Sequence, residues 1–208
     1  TVTYTGNNAS GNTTVASVTY YNLTVNNSAE TYVLAAATTA SNNLTITAGT
    51  LDTVSGSNYG LTVGNNWSNS GTFIARSGTV TLTGTGSQTL TSGSSNFYAL
   101  TINGSGGTYT IQDALAIDNN LVITAGTLQL STLNLTVTGT TSITGTLNDN
   151  SATGTNLFVG AVTINSGGIW TETNNPAFTF RGGLTVTSVS TFTSGTGTYT
   201  FDTNAQTI

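Results

Sequence analysis

The amino-acid sequence predicts an all-β protein, and within that class a parallel β-helix (β-solenoid) with about 19 residues per coil. Three observations predict this fold: a composition rich in β-branched and small polar residues, a long internal duplication, and a short rhythm of apolar-Thr-apolar triplets. The alternative fold is a string of tandem immunoglobulin-like β-sandwiches.

The composition favours strands over disorder. Only 4% of the 208 residues are charged, 36% are hydrophobic, and the chain has 1 Pro. A typical soluble domain is about 25% charged, and disordered chains are rich in charge and Pro. Thr, Val and Ile recur throughout instead, and these residues favour strands because their branched side chains pack well on a pleated surface.

The same composition excludes several classes of function. Arg76 and Arg181 are the only basic residues, so the chain lacks the cationic surface that a nucleic acid requires. No apolar run approaches the roughly 18 to 20 residues that span a bilayer, so we expect no membrane insertion. Because Cys, His and Met are absent, we expect no cofactor and no metal. The shortage of reactive groups suits a secreted, extracellular protein.

A long duplication is the strongest of the three observations. Residues 20–51 align without gaps on residues 97–128, an offset of 77 residues. The stretch T-A-G-T-L, for example, occurs at 47–51 and again at 124–128. Internal similarity of this kind is typical of repeat architectures.

Both ends of the chain resemble internal elements. Residues 1–6 match 79–84, and residues 197–201 with 206–208 match 78–82 with 88–90. We therefore expect one continuous solenoid over residues 1–208, made of repeats at about 1–78, 79–150 and 151–208. We expect it to belong to a longer array, or to a subunit whose two ends continue one another.

A shorter rhythm lies inside the duplicated unit. Apolar-Thr-apolar triplets begin at Leu23, Leu44, Leu61, Val80 and Leu100. Four steps over 77 residues give about 19 residues per coil, and roughly 11 coils would make a rod on the order of 50 Å long. The alternation predicts that the outer residues of each triplet point inward and that the Thr faces water. A sandwich fits less well, because its strands have no reason to resemble their neighbours.

Several phrases carry a resemblance to a known family. They are L-x-I-T-A-G-T-L and the segments 61–73, 77–90 and 97–102. They resemble the repeats of very large secreted bacterial surface proteins of the filamentous-haemagglutinin and autotransporter β-helix type. The resemblance implies a β-helix at the cell surface, with a role in adhesion or in a surface fibre rather than in catalysis.

The acidic residues do not form a catalytic motif. They are Glu30, Asp52, Asp113, Asp118, Asp149, Glu172 and Asp202. Asp113 and Asp118 are the only pair within five residues, and they precede a turn at Asn119. We interpret them as solvated turn residues, with a Ca²⁺ or catalytic site as the alternative. We therefore expect no enzymatic activity and assign no catalytic residue.

Two sets of residues are candidate sites for carbohydrate. Sequons that could carry a glycan begin at Asn8, Asn12, Asn22, Asn26, Asn43, Asn66, Asn103 and Asn134. Aromatic rings that could stack on a sugar, if exposed, are Trp67, Trp170, Tyr98 and Tyr109. The alternatives are chance in a chain rich in Asn, Ser and Thr for the first set, and core packing for the second.

These observations favour a structural function. We expect a rigid extracellular rod that presents adhesive faces or assembles with copies of itself into a filament. A carbohydrate-binding adhesin module is the first alternative, with surface glycans as partners. Rows of T-x-T, as at residues 81–85 and 136–138, raise ice binding as the second, because regularly spaced Thr could order water.

Overall fold

The computed structural model describes residues 1–6 and 11–202, and this part of the chain contains strands and turns without a helix. The strands are, in chain order, β1 (Val2–Tyr4), β2 (Asn12–Val15), β3 (Thr19–Tyr20), β4 (Leu23–Leu34), β5 (Thr38–Ala40), β6 (Leu44–Asp52), β7 (Leu61–Val63), β8 (Trp67–Asn69), β9 (Thr72–Ile74), β10 (Thr79–Leu82), β11 (Ser87–Thr91), β12 (Ala99–Ile111), β13 (Leu115–Ile117), β14 (Leu121–Gln129), β15 (Leu135–Val137), β16 (Thr141–Ile143), β17 (Thr146–Asp149), β18 (Thr155–Phe158), β19 (Val162–Ile164), β20 (Ile169–Glu172), β21 (Ala177–Phe180), β22 (Leu184–Val186), β23 (Thr191–Thr193) and β24 (Thr198–Phe201).

The strands stack into three faces, which the chain visits in the order A, B, C within each coil. Face A consists of β3, β5, β7, β10, the first parts of β12 and β14, β16, β19 and β22. Face B consists of β1, the first parts of β4 and β6, β8, β11, the second parts of β12 and β14, β17, β20 and β23. Face C consists of β2, the second parts of β4 and β6, β9, the single residue Phe97, β13, β15, β18, β21 and β24.

All strand pairings in the described residues are parallel, so the fold is the predicted parallel β-solenoid. The alternative of immunoglobulin-like sandwiches is wrong, because those pair antiparallel strands in two layers. Three corners join the faces: corner AB and corner BC within a coil, and corner CA between face C of one coil and face A of the next. The four long strands turn a corner without interruption, β4 and β6 at corner BC and β12 and β14 at corner AB.

The solenoid has about 9 coils of roughly 21 residues, which corresponds to a rod on the order of 40 Å long. The coil length of 19 was too short and the number of coils was too high. Register partners are separated by as few as 19 residues, for Thr31 and Thr50, and by as many as 23, for Leu44 and Trp67. The estimate failed because it treated Leu23 and Leu100 as members of one column, whereas Leu23 lies on face B and Leu100 on face A.

The 77-residue duplication is therefore out of phase with the coil. From Leu23 to Leu100 the chain completes three coils and then advances two more faces. The local structure is nevertheless repeated. Asn42 N donates to Tyr21 O at 2.8 Å, and the equivalent Asn119 N donates to Tyr98 O at 2.7 Å. The same segment thus folds in the same way on two different faces, which indicates that the sides of the coil are similar in structure.

The core runs along the axis as a single cluster of buried side chains. The outer residues of the triplets point into it, as predicted: Leu61 and Val63 are buried, while Thr62 between them is partly exposed. Towards the last coils, aromatic side chains form a ladder on face C. The rings of Phe158 and Phe180 stack with centroids 5.5 Å apart, and Phe180 stacks on Phe201 at 5.3 Å. Aromatic stacking adds to the burial of apolar area and ties successive coils together.

Candidate functional site

Face A carries an outward column made almost entirely of hydroxyl side chains. Register places one outward residue of each coil above the next. These residues are Thr19, Thr39, Thr62, Thr81, Thr101, Val122, Ser142, Thr163 and Thr185. All but Val122 have a hydroxyl, and the strands of face A contain no charged residue. Stacked at about 4.8 Å, like charges would repel, whereas hydroxyls tolerate their own copies as neighbours.

A second outward column flanks the first in the later coils of face A. It consists of Thr144, Asn165 and Thr187. The backbone N–H of each donates a hydrogen bond to the preceding coil and so continues the strand pairing of face A. The side chain of Asn165 donates to Ser142 Oγ at 2.8 Å, which joins the two columns. Neighbouring columns along a strand are about 7 Å apart, since each residue rises about 3.3 Å. Face A is thus a two-dimensional polar array with one period set by the coils and one by the strand.

Asn side chains at the corners form a second kind of ladder. At corner AB, Asn42 Nδ2 donates to Asn22 Oδ1 at 2.8 Å, and Asn65 Nδ2 donates to Asn42 Oδ1 at 2.8 Å. In the adjacent column, Asn66 Oδ1 accepts from Thr89 N of the next coil at 2.8 Å. The corners are where the backbone N–H groups leave the strand ladders, so these amides supply the missing partners.

This structural use of Asn bears on the sequons. Asn22, Asn43, Asn66 and Asn134 each accept a backbone N–H through Oδ1. The corner geometry therefore explains these residues without a glycan. Of the remaining sequons, Asn12, Asn26 and Asn103 are exposed, and Asn8 lies outside the described residues.

Three of the four candidate sugar-stacking aromatics lie in the core. Trp67, Trp170 and Tyr109 have no exposed surface, so they offer no face to a sugar and their burial supports core packing. Tyr98 is partly buried against the core. The most exposed ring is Tyr21, at 68%, which sequence reasoning did not single out. Tyr21 is equivalent to Tyr98 in the duplicated unit, and this equivalence could have identified it as a candidate from the sequence.

Asp113 and Asp118 do not form a site together. Asp113 lies at corner BC, where its two carboxylate oxygens accept the N–H groups of Ser92 at 2.7 Å and Gly93 at 2.6 Å. Asp118 lies at corner CA and accepts from Asn96 at 2.8 Å. Each carboxylate thus stabilises the turn of the preceding coil.

Two other carboxylates meet at corner BC. Asp149 and Glu172 are register partners in successive coils, and both are buried. Asp149 accepts from Ser151 N at 2.8 Å and from Asn156 Nδ2 at 2.7 Å. Glu172 accepts from Trp170 Nε1 at 2.8 Å and also contacts Tyr199 Oη.

Burial dominates the protonation of this pair. It raises the pKa of Glu172 to about 7, with hydrogen bonds from Tyr199 and Trp170 opposing the shift and the charge of Asp149 adding to it. Burial likewise raises the pKa of Asp149. The pair was missed from the sequence because its members are far apart in it. Alternation along each strand was the available signal for their burial. Leu147 points inward two residues before Asp149, and Trp170 points inward two residues before Glu172.

Both carboxylates lie under the surface. Within residues 1–6 and 11–202, no three His, Cys, Asp or Glu side chains come together as a metal site. The same residues include no helix able to cross a membrane.

Comparison of the chain with family models, with curated proteins and with solved structures finds no match. The similarity that can be stated is therefore one of fold: the parallel β-solenoid is consistent with β-helix repeat proteins.

Proposed function

We propose that this chain is a structural part of an extracellular surface protein, in which it forms a rigid rod that extends by addition of further coils. The observation that carries the proposal is the unbroken stack of parallel coils around one continuous core. Every coil completes the backbone pairing of the coil before it, so bending the rod would break hydrogen bonds along a whole face. The uncharged outer ladders and the resemblance to bacterial surface repeats support the same role.

The two outermost described coils support extension. Val2 in β1 and Val186 in β22 are each 45% exposed, although the equivalent residues of inner coils are buried. The strands of these coils also have one edge that no described strand covers, and such edges accept further strands. The next coil can come from the same polypeptide or from a second copy, and a filament would result in the second case.

Electron microscopy of the purified 208-residue chain tests this proposal. We expect rods of constant cross-section whose length increases with protein concentration. Compact particles without a long axis at any concentration would contradict the rod, and rods of fixed length would contradict self-assembly.

A pair of variants isolates the role of the open end. Val186→Lys places a charge over the exposed end of the core and should abolish lengthening. Thr185→Lys adds the same charge to the same strand on its outward side, and we expect it to lengthen as the wild type does. Equal lengthening of both variants would show that the open core is not the growing end.

Face A favours ice binding as a second candidate function. Its in-register hydroxyl columns are uncharged, and a stiff array of this kind can hold ordered water. The test is thermal hysteresis of the purified protein. Thr81→Tyr on face A should abolish the activity and Thr179→Tyr on face C should preserve it; absence of hysteresis in the wild type would eliminate this candidate.

A further inference from the structure

We propose that Asp149 and Glu172 form a protonation-dependent latch, which fastens the last described coils to one another when Glu172 carries its proton and loosens them when the proton is lost. This inference is independent of the proposed function, because it concerns the stability of the coils and not what the rod presents or binds.

Two acids stack on each other with no cation between them. Register pairing places Glu172 directly over Asp149 in the next coil, a separation of about 4.8 Å between strands. Their side chains form hydrogen bonds with Ser151, Asn156, Trp170 and Tyr199. Both arginines of the chain lie at corner CA instead, where Arg76 pairs with Asp52 and Arg181 with Asp202. Two buried carboxylates in register on neighbouring strands cannot both ionise without a large cost.

Tyr199 has fewer protons to donate than it has acceptors around it. Its hydroxyl contacts two acceptors, Glu172 Oε2 and the backbone oxygen of Ser194, but it has only one proton to donate. A proton on Glu172 Oε2 resolves this conflict: Glu172 then donates to Tyr199, and Tyr199 donates to Ser194. When Glu172 releases that proton to water, two acceptors again compete for one donor, and the negative charge faces Asp149.

The latch lies between strands of successive coils. Asp149 lies on β17, Glu172 on β20, and Tyr199 on β24 of the last described coil. The ring of Tyr199 stacks on Phe178 at 5.7 Å, and Trp170 packs against both Phe178 and Phe192. The contact between Glu172 and Tyr199 therefore links the last two described coils at corner BC, and Asp149 faces Glu172 from the coil before them. Titratable groups that face Glu172 from these elements are Asp149 and Tyr199.

The sign of the pH dependence follows from the raised pKa of Glu172, about 7. A carboxyl whose pKa is higher in the folded state binds its proton more tightly there. The folded state therefore loses stability as the pH rises from the pKa of Glu in the unfolded chain, about 4.3, to its pKa in the folded chain. The raised pKa of Asp149 acts in the same direction. The rod should thus be more stable in mild acid than in mild base.

Thermal unfolding at about pH 5 and about pH 8.5 tests the latch. We expect the Tm of the wild type to fall by about 5 to 10 °C between these values. Glu172→Gln keeps the acceptor for Trp170 and supplies a permanent donor to Tyr199, so its Tm should fall clearly less than that of the wild type, with Asp149 responsible for the remaining fall. Asp118→Asn removes one charge from an exposed corner and should retain the full wild-type dependence. A wild-type Tm that does not fall, or a fall unchanged in Glu172→Gln, would overturn the proposal.

A second measurement needs no substitution at the latch. Because Trp170 donates to Glu172 at 2.8 Å, its fluorescence should report the ionisation of that carboxyl. We expect a transition with its midpoint near neutrality in the wild type. A midpoint at about pH 4 to 5, where ordinary carboxyls titrate, would show that Glu172 is ionised throughout the neutral range and would refute the latch.

Discussion

Arg76 reaches back one coil and holds both carboxylate oxygens of Asp52. Its Nε lies 3.0 Å from Oδ1 and its Nη2 lies 2.7 Å from Oδ2. Asp52 Oδ1 also accepts the N–H of Val54 at 2.7 Å. The hydrogen bond from Arg76 is the main reason that the pKa of Asp52 lies below its ordinary value, with burial opposing it. One of the two cations in the chain is thus committed to joining coils at corner CA.

We expect Arg76→Gln to lower the Tm at pH 7 by about 2 to 4 °C. The lowered pKa means that the ion pair stabilises the fold above the ordinary pKa of an Asp and that this stability is lost as pH falls through the folded pKa. The wild type and the variant should therefore converge in acid, as measured by thermal unfolding across pH. Arg181→Gln is the matched control, because its pair with Asp202 is longer, at 3.2 Å, and should contribute less. A constant difference at all pH values would contradict this assignment.

The inward and outward positions of one strand should differ sharply in their contribution to stability. Leu100 is fully buried in β12, and Thr101 beside it faces outward. Leu100→Ala removes core packing and should cost about 2 to 5 kcal/mol, whereas Thr101→Ala should change stability by about 0.5 kcal/mol or less. Urea denaturation measures both. Similar losses would mean that β12 does not have the predicted orientation.

Two glycines separate the effect of backbone conformation from the effect of close packing between coils. Gly106 and Gly126 both have positive φ, at 77° and 82°. A Cβ at Gly106 would meet nothing within 4 Å, whereas a Cβ at Gly126 would lie 2.3 Å from the oxygen of Gly104 in the preceding coil. We expect Gly106→Ala to cost about 1 to 2 kcal/mol for the left-handed conformation alone.

Gly126→Ala should cost more than twice as much as Gly106→Ala, because the coils would have to separate at corner AB. The measurement is urea denaturation of both variants side by side. Equal losses would show that the coils have room for a methyl group at this corner.

The side-chain amides at the corners should stabilise the rod through their own hydrogen bonds, in the absence of any glycan. Asn66→Ala removes the acceptor for both the N–H and the hydroxyl of Thr89, and we expect it to cost about 1 kcal/mol. Asn103→Ala, at an exposed sequon, should cost about 0.5 kcal/mol or less. Production in a host without N-glycosylation keeps the comparison free of sugar, and thermal unfolding measures it. Equal stability of the two variants would argue against a structural role for Asn66.

The fold could be predicted from the sequence because alternation within a strand depends on local residues alone. Leu61, Thr62 and Val63 give the inward, outward, inward pattern directly. Trp67 shares this pattern with Leu44 below it, so its burial was also open to prediction. The coil length was not, because similar triplets on different faces cannot be assigned to faces without knowing how long each corner is.

The pairing of Asp149 with Glu172 was beyond sequence reasoning for the same reason. The residues between them include a turn of variable length at corner BC, and a shift of one residue would turn one carboxyl towards water. The buried position of each acid follows from alternation, but their contact depends on the length of the intervening coil.

The phase difference between the duplication and the coil has a consequence for how such a chain can evolve. Each inserted copy of the 77-residue unit leaves the junction between strands intact but rotates everything inherited with it by a third of a revolution. After three insertions, the same epitope would look out in every direction around the axis. Lengthening of the chain by recombination would therefore place a repeated epitope on all three faces of the rod, so that no face would differ from the others.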